Sequence, residues 1–569
     1  MANNYRLTPD GTGDRLFEAC EAEACVTRSL TEVFEGAGYR KVRTPGLEFL
    51  SVFEGAGSYF PPEEMYKLSD GEGRLVTLRP DSTIPIARLV ATKLKGAALP
   101  LRIYYTQGVF RKQRELKGRE CEVMQMGVEL IGEAGFEADV DMIDLAIRSL
   151  SAAYGGRFRI EIGHVGLYKR LMERLGDAVS QDRIHRHVVA KNYSALEDDL
   201  VGVSDRETAD LLLRLPGLFG GTESLTEAAG LFDGYDKEIT EMLGYLQRVM
   251  SALSERGHAD NVMIDLGLVN QAEYYSSLVF KGYDESAGEP LLSGGRYDEL
   301  FCDFGEDIPA TGFGVNIDLL TEASLAFQGE VYQGDGTFDR HSLSKVPSPC
   351  LTTRPLRIAL TKGRLEGDFI DLMESVGYDM GPLKDKGRRL IVTIPGPDGS
   401  AAGPDGAVEI FLAKAADVVT CVEHGVCEVG IVGKDTLLEQ GGTYYEIADL
   451  GFGKCRFALA APAGGPVAAG ETPRVVASKY PQYAGRYFER LGLDVRIIRI
   501  EGSVEIAPAL GLADGIVDVV ETGTTLRENG LDVVTDIRDI SARLIVNVTG
   551  MKLRKSEVEA LAARLARRS

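Results

Sequence analysis

The stretch that most constrains this chain is Asp514–Leu526, which reads Asp-Gly-Ile-Val-Asp-Val-Val-Glu-Thr-Gly-Thr-Thr-Leu. Ile516, Val517, Val519 and Val520 form a short β-branched run with the composition of a buried strand. The run stops at Glu521-Thr522-Gly523-Thr524-Thr525, and a helix is expected from Leu526. A strand ending in small hydroxylated residues and one glycine, with a helix behind it, makes a phosphate cradle. Gly523 lets the backbone approach closely, Thr522, Thr524 and Thr525 add hydroxyl donors, and the helix N-terminus supplies unpaired N–H groups and partial positive charge. Asp518 and Glu521 beside it are acceptors suited to sugar hydroxyls or a hydrated Mg²⁺. An ordinary strand–turn–helix with a threonine N-cap has the same local signature, and local chemistry alone does not separate the two.

A chain of 569 residues is too long for one hydrophobic core and predicts two to four domains. No apolar run is long enough to span a bilayer, and Met1–Asp10 has no signal-peptide core, so no membrane partner is expected. The formal net charge of −23 argues against nucleic acid as a partner while leaving room for a local basic pocket. The eight cysteines include no Cys-x-x-Cys and no zinc-like spacing, which fits reduced thiols in the cytosol. His185 and His187, two apart, fall on different faces of a helix and are not read as a metal pair.

In chain order, Arg15 to about Ala37 has a helical apolar period stopping at Gly36 and Gly38, followed by a strand at Tyr39–Thr44. Within the strand around Glu120–Glu129, residues Gln125, Gly127 and Glu129 alternate onto one face. A buried row of Gln and Glu on a sheet is costly unless it meets a polar ligand. About 326–354 is Gly-, Ser- and Pro-containing with little periodicity, and reads as a linker. Leu356–Thr361 then reads as a buried strand, with Lys362-Gly363-Arg364 as its turn and Leu365, Phe369, Leu372, Met373 and Val376 facing inward from the next helix. Cations on a glycine turn at a helix N-terminus reinforce an anion site; a merely solvated turn is the plainer reading. Asp417 is expected to N-cap a helix closing at Gly425. Repeated strand–helix units imply α/β topology with ligand loops at the strand C-termini.

Asp514–Leu526 resembles the phosphoribosyl-pyrophosphate (PRPP) loop of ATP phosphoribosyltransferase. The resemblance runs from about Leu356 to Lys555, through Ile358–Leu365, Val422–Gly425, Gly430–Asp435 and Asp449–Arg456. It is to the short form, which lacks an extra C-terminal regulatory domain and depends on a separate partner related to histidyl-tRNA synthetase. The resemblance implies a fold like type II periplasmic binding proteins, with lobe one at about 355–450 and 531–569 and lobe two at about 451–530. It implies attack by N1 of ATP on C1 of PRPP, with pyrophosphate neutralised by Mg²⁺, Lys362, Arg364 and Arg388. Thr522, Gly523, Thr524 and Thr525 would hold the 5-phosphate, and Asp518 or Glu521 the ribose hydroxyls. No metal held by the protein alone is implied; Mg²⁺ would come with the substrate.

Residues 1–325 resemble the catalytic domain of histidyl-tRNA synthetase, a class II antiparallel-sheet fold, with a helical insertion at about 165–256. The blocks that carry this are Thr77–Thr83, Tyr105–Arg111, Arg119–Glu129, Ser293–Asp298 and Gly312–Gly314. In that family Asp81, Thr83, Arg111, Gln125, Glu129, Tyr274 and Tyr275 would line a histidine pocket, and the first helix and strand would form a homo-oligomer interface. Two arginines needed for adenylation are replaced, by Asn270 and Leu319, neither of which holds an anion bidentately. No anticodon-binding domain follows. The resemblances together imply a fusion in which a histidine sensor, not binding tRNA, controls histidine biosynthesis at its first step. An active histidine–tRNA ligase with an appendage and a non-enzymatic solute sensor are the alternatives.

Overall fold

In the computed structural model, the described residues are 8–566 apart from 55–59, 61–63, 113–119, 177–180, 190–192, 270–273, 285–288, 333–354 and 398–405. They divide into two compact units, Met1–Pro349 and Cys350–Ser569. Asn270 and most of the expected linker lie outside the described residues. The linker's expected start does not hold: residues 326–332 extend the helix Ile317–Tyr332, because Ala326 to Tyr332 contains one glycine and no proline to stop it.

The first unit is built on a nine-stranded sheet. The helix Phe17–Gly36 buries Val26, Leu30 and Phe34, spaced four apart, and ends where Gly38, at φ +83°, returns its N–H to the Glu35 carbonyl at 2.9 Å. Inside the sheet, third in strand order, Glu122–Ile131 runs antiparallel to Leu101–Phe110 on one side and to Ala310–Asn316 on the other. Ala310–Asn316 pairs in turn with Leu292–Arg296. The register sets Gly312 opposite Glu129 and Gly314 opposite Gly127. That choice is steric: a Cβ on Gly312 would collide with Glu129 Oε2, and one on Gly127 with the Tyr105 hydroxyl. After Phe158–His164 the described residues form a run of helices, from Val165–Leu175 to Lys237–Glu255, with one short strand, Phe219–Gly220, among them. It is pinned to the sheet's support by Tyr245, whose hydroxyl donates to Asp139, the buried partner of Arg296 at 2.6 Å.

The second unit has two sheets. In the six-stranded one, Leu356–Thr361 lies parallel to Val408–Ala413 and Val429–Gly433, with Ile391–Ile394 at one edge and Ala542–Val546 and Tyr445–Asp449 at the other. The five-stranded sheet holds Arg496–Arg499, Val475–Ser478, Gly515–Val520, Cys455–Pro462 and Leu531–Ile540. The expected division at residue 530 is therefore wrong by one strand. Leu531–Ile540 pairs antiparallel with Cys455–Pro462 from end to end, and the chain returns to the first sheet only at Ser541, whose Oγ donates to Asp449 Oδ1 at 2.7 Å. A ten-residue strand gains its ladder bonds by staying with its neighbour.

Two local expectations also shift. The helix after the threonine loop begins at Thr524, not Leu526, and has five residues, capped by Gly523 at φ +72°. Asp417 sits in the first turn of Ala415–Glu423, whose N-cap is Lys414; there it still favours the helix through its charge. No helix among the described residues is long and apolar enough to cross a membrane.

Candidate functional site

In the first unit, five of the seven residues expected in an amino-acid pocket meet in one buried cluster. Asp81 follows a strand, and its Oδ1 accepts from the N–H groups of Thr83 at 2.8 Å and Ile84 at 3.1 Å, fixing it at the head of the helix Thr83–Lys93. Thr83 Oγ1 donates to Glu129 Oε1 at 2.9 Å. The Tyr274 hydroxyl donates to Asp81 Oδ2 at 3.4 Å, and the Tyr274 ring lies 4.7 Å from that of Tyr275. Arg111 stands at the margin: its guanidinium is 4.0 Å from Asp81, its Nε donates to the Pro80 carbonyl at 2.7 Å, and it lies 5.3 Å over the Phe60 ring. Gln125 is on the same strand face, and its Oε1 is buried with no hydrogen-bond partner among the described residues.

The electrostatics of this cluster are lopsided. Asp81 is 5% exposed and Glu129 1%, and among the described residues the cation beside Asp81 is Arg111. Burial lifts Asp81 against the pull of Arg111. Burial pushes Glu129 up to about 8, against the hydrogen bonds from Tyr297 and Thr83. Tyr274, Tyr275 and Tyr297 are all raised by burial beside these acids. Two desolvated carboxyls, an amide oxygen without a partner among the described residues and aromatic walls are the chemistry that a group bearing an ammonium and a ring N–H would require.

In the second unit, Lys362 and Arg364 follow the C-terminal end of Leu356–Thr361, the Lys362 N–H reaching the Ala413 carbonyl at 2.9 Å. Arg364 leaves its own sheet's loops: Nη1 donates to Glu521, directly before the threonine loop, and Nη2 donates to the Gly453 carbonyl at 3.2 Å. The two strand-end loops thus face each other. In the loop, the Thr522 and Thr524 hydroxyls are 3.1 Å apart. Asp518, within the strand Gly515–Val520, is raised to about 6 by burial, with Glu505 and Asp435 adding to the rise and Lys479 opposing it. Arg388 is exposed in the turn before the edge strand Ile391–Ile394; among the described residues no contact joins it to the loop.

Several residues of these sites escaped the sequence reading. Tyr297, which donates to Glu129, lies within Ser293–Asp298 but carries no local sign of facing that carboxyl. Tyr480 donates to Asp435 at 2.9 Å, joining elements more than forty residues apart. Arg456 Nη1 reaches the Glu521 carbonyl at 3.5 Å. Arg527 did have a signal: it lies three residues after Thr524, the spacing that brings a helical side chain back over the first turn.

The profile of histidyl-tRNA synthetase matches residues 11–320, and that of ATP phosphoribosyltransferase matches residues 414–567. Lys362, Arg364 and Arg388 precede the second match; the strand Leu356–Thr361, which leads into Lys362 and Arg364, pairs with Val429–Gly433 inside it. An ATP phosphoribosyltransferase regulatory subunit of Clostridium kluyveri is 38% identical over 322 residues, covering 56% of this chain and 82% of that protein. One from Bacillus cereus is 37% identical over 337 residues, 58% of this chain and 79% of that protein. A solved structure from Bacillus halodurans, described as an ATP phosphoribosyltransferase regulatory subunit/histidyl-tRNA synthetase, has a TM-score of 0.50 at 33% identity, covering 65% of this chain and 90% of its own. The chain therefore belongs to the histidyl-tRNA-synthetase-like family of ATP phosphoribosyltransferase regulatory subunits, and it carries in the same polypeptide an ATP phosphoribosyltransferase domain, the pentosyltransferase itself.

Proposed function

We propose that the second unit condenses ATP with PRPP to phosphoribosyl-ATP and pyrophosphate, the first step of histidine biosynthesis, and that the first unit senses histidine and inhibits it. The observation that carries the catalytic half is the reach of Arg364 across to Glu521, which sets the basic turn against the threonine loop. In the reaction a bond forms from N1 of the purine to C1 of the ribose as the C1–oxygen bond to pyrophosphate breaks, its electron pair leaving with the pyrophosphate. No side-chain nucleophile is needed. Thr522, Gly523, Thr524 and Thr525 hold the 5-phosphate, Asp518 accepts from the ribose hydroxyls, and Lys362 and Arg364 take up the negative charge that develops on the leaving group. Arg364 must give up Glu521 to do so, which frees that carboxylate for a ribose hydroxyl.

Mg²⁺ fits this site as a companion of the substrate. Asp518 and Glu521 would suit the hydration shell of an ion that arrives with the substrate. When bound it adds charge neutralisation at the leaving group. In the first unit the histidine ammonium and imidazole N–H meet Asp81, Glu129 and Gln125, between Tyr274 and Tyr275. Leu319, at the place of the phosphate-clamping arginine, packs against the hydrophobic core, which disfavours ATP activation and tRNA charging. The free thiols among the described residues suit a reducing cytosol, and assembly of copies through the synthetase-like unit is expected. The decisive assay is pyrophosphate release from ATP plus PRPP, with and without histidine. Release that histidine suppresses supports the reading; histidine-dependent tRNA charging, or no PRPP-dependent release, overturns it.

A further inference from the structure

The threonine loop is short of positive charge. Its helix, Thr524–Glu528, has five residues, too few turns for aligned peptide dipoles to add up to much. Glu521 immediately before it adds a negative charge, and the chain as a whole carries −23. A dianionic 5-phosphate in such a place needs a cation, and the cations of the facing turn are committed to the opposite end of the substrate, where pyrophosphate leaves.

Arg364 and Arg456 reach only Glu521 at the loop's start; a further cation lies on the threonines themselves. Arg527, in the last turn of that helix, folds back so that Nη2 donates to the Thr522 carbonyl at 3.4 Å and to Thr524 Oγ1 at 3.4 Å. Its Nη1 would sit 3.7 Å from a Cβ placed on Gly523. These bonds are long, hence weak, and among the described residues no carboxylate pairs with this guanidinium. It is exposed and free to exchange a carbonyl and a hydroxyl for phosphate oxygens, which it can grip with two parallel N–H groups.

We propose that Arg527 is a substrate-binding residue that pairs with the 5-phosphate of PRPP. The proposal rests on the reading of Asp514–Leu526 as the PRPP loop. It separates the two ends of the substrate: Arg527 serves the 5-phosphate, while Lys362 and Arg364 serve the pyrophosphate.

The test compares Arg527→Gln, Arg527→Lys and, as a control on the loop itself, Thr524→Asp in the full chain. Arg527→Gln is expected to raise KM for PRPP by about tenfold or more, with kcat within about twofold and KM for ATP unchanged. Ribose 5-phosphate should lose potency as a competitive inhibitor by a similar factor while pyrophosphate keeps its own, and Arg527→Lys should recover part of the loss. A merely structural role would weaken both inhibitors alike, and that result overturns the proposal. If Thr524→Asp abolishes PRPP binding while Arg527→Gln leaves KM unchanged, Arg527 alone is misassigned. If Thr524→Asp binds PRPP normally, the loop reading falls and this inference with it.

Discussion

Burial lifts Glu129 to about 8, so at pH 7 the protein's own groups keep it as the neutral acid. An α-ammonium placed against it would favour the carboxylate and expel the proton. Histidine binding at pH 7 is therefore expected to release most of one proton, so that its calorimetric heat differs between buffers of high and low ionisation enthalpy. Affinity should strengthen as pH rises from 6 towards 8, because the form that binds best becomes populated. Glu129→Gln should remove the buffer dependence, and Glu129→Ala should raise the histidine needed for inhibition by more than about tenfold with the uninhibited rate nearly unchanged. Equal heats in both buffers would contradict an ammonium at Glu129. The sequence exposed Gln125 and Glu129 because strand alternation is a local rule. It could not expose Tyr297, whose approach to Glu129 depends on Leu292–Arg296 and Glu122–Ile131 flanking the same middle strand.

At the scale of elements, one side of the six-stranded sheet of the second unit is held together by buried charge as well as by strand pairing. Lys434 opens the helix Lys434–Gln440 and is 2% exposed, with Glu446 as its partner at 2.6 Å. Arg543 lies 3.5 Å from the same carboxylate and 3.0 Å from Asp449, beside the point where the chain crosses back from the five-stranded sheet. Removing one member of a buried pair strands the other. Lys434→Ala is therefore expected to destabilise the second unit by about 3 kcal/mol, the low end for such pairs because Arg543 remains, seen as a lower denaturant midpoint at unchanged slope. A loss below about 0.5 kcal/mol would place this pair among exposed ones. The Gly433-Lys434-Asp435 block was visible in the sequence, but its division of labour was not: Lys434 faces inward to Glu446 while Asp435 faces Tyr480. The strand Leu531–Ile540 was misassigned for a related reason. Gly530 marks a turn, and a turn in sequence does not say whether the next strand stays with its sheet or leaves it.

For the whole molecule, the question is what joining a synthetase-like unit to a transferase accomplishes. Each unit has hydrophobic clusters of its own: Val26 to Ala323 in the first, and Ala359 to Ile545 in the second. A fragment beginning after residue 325 should therefore fold cooperatively by itself. Activity is a different matter, because the second unit resembles a short form that relies on a partner, and here that partner is covalently attached. Removing residues 1–325 should leave a fragment with a sharp thermal transition and turnover at least tenfold lower, insensitive to histidine. Adding the separate first unit in trans should restore part of the rate, at concentrations set by their affinity once the tether no longer holds them at high effective concentration. Restoration that histidine reverses would show that one surface both activates and inhibits. A fragment as fast as the full chain would show that the first unit restrains the second without activating it.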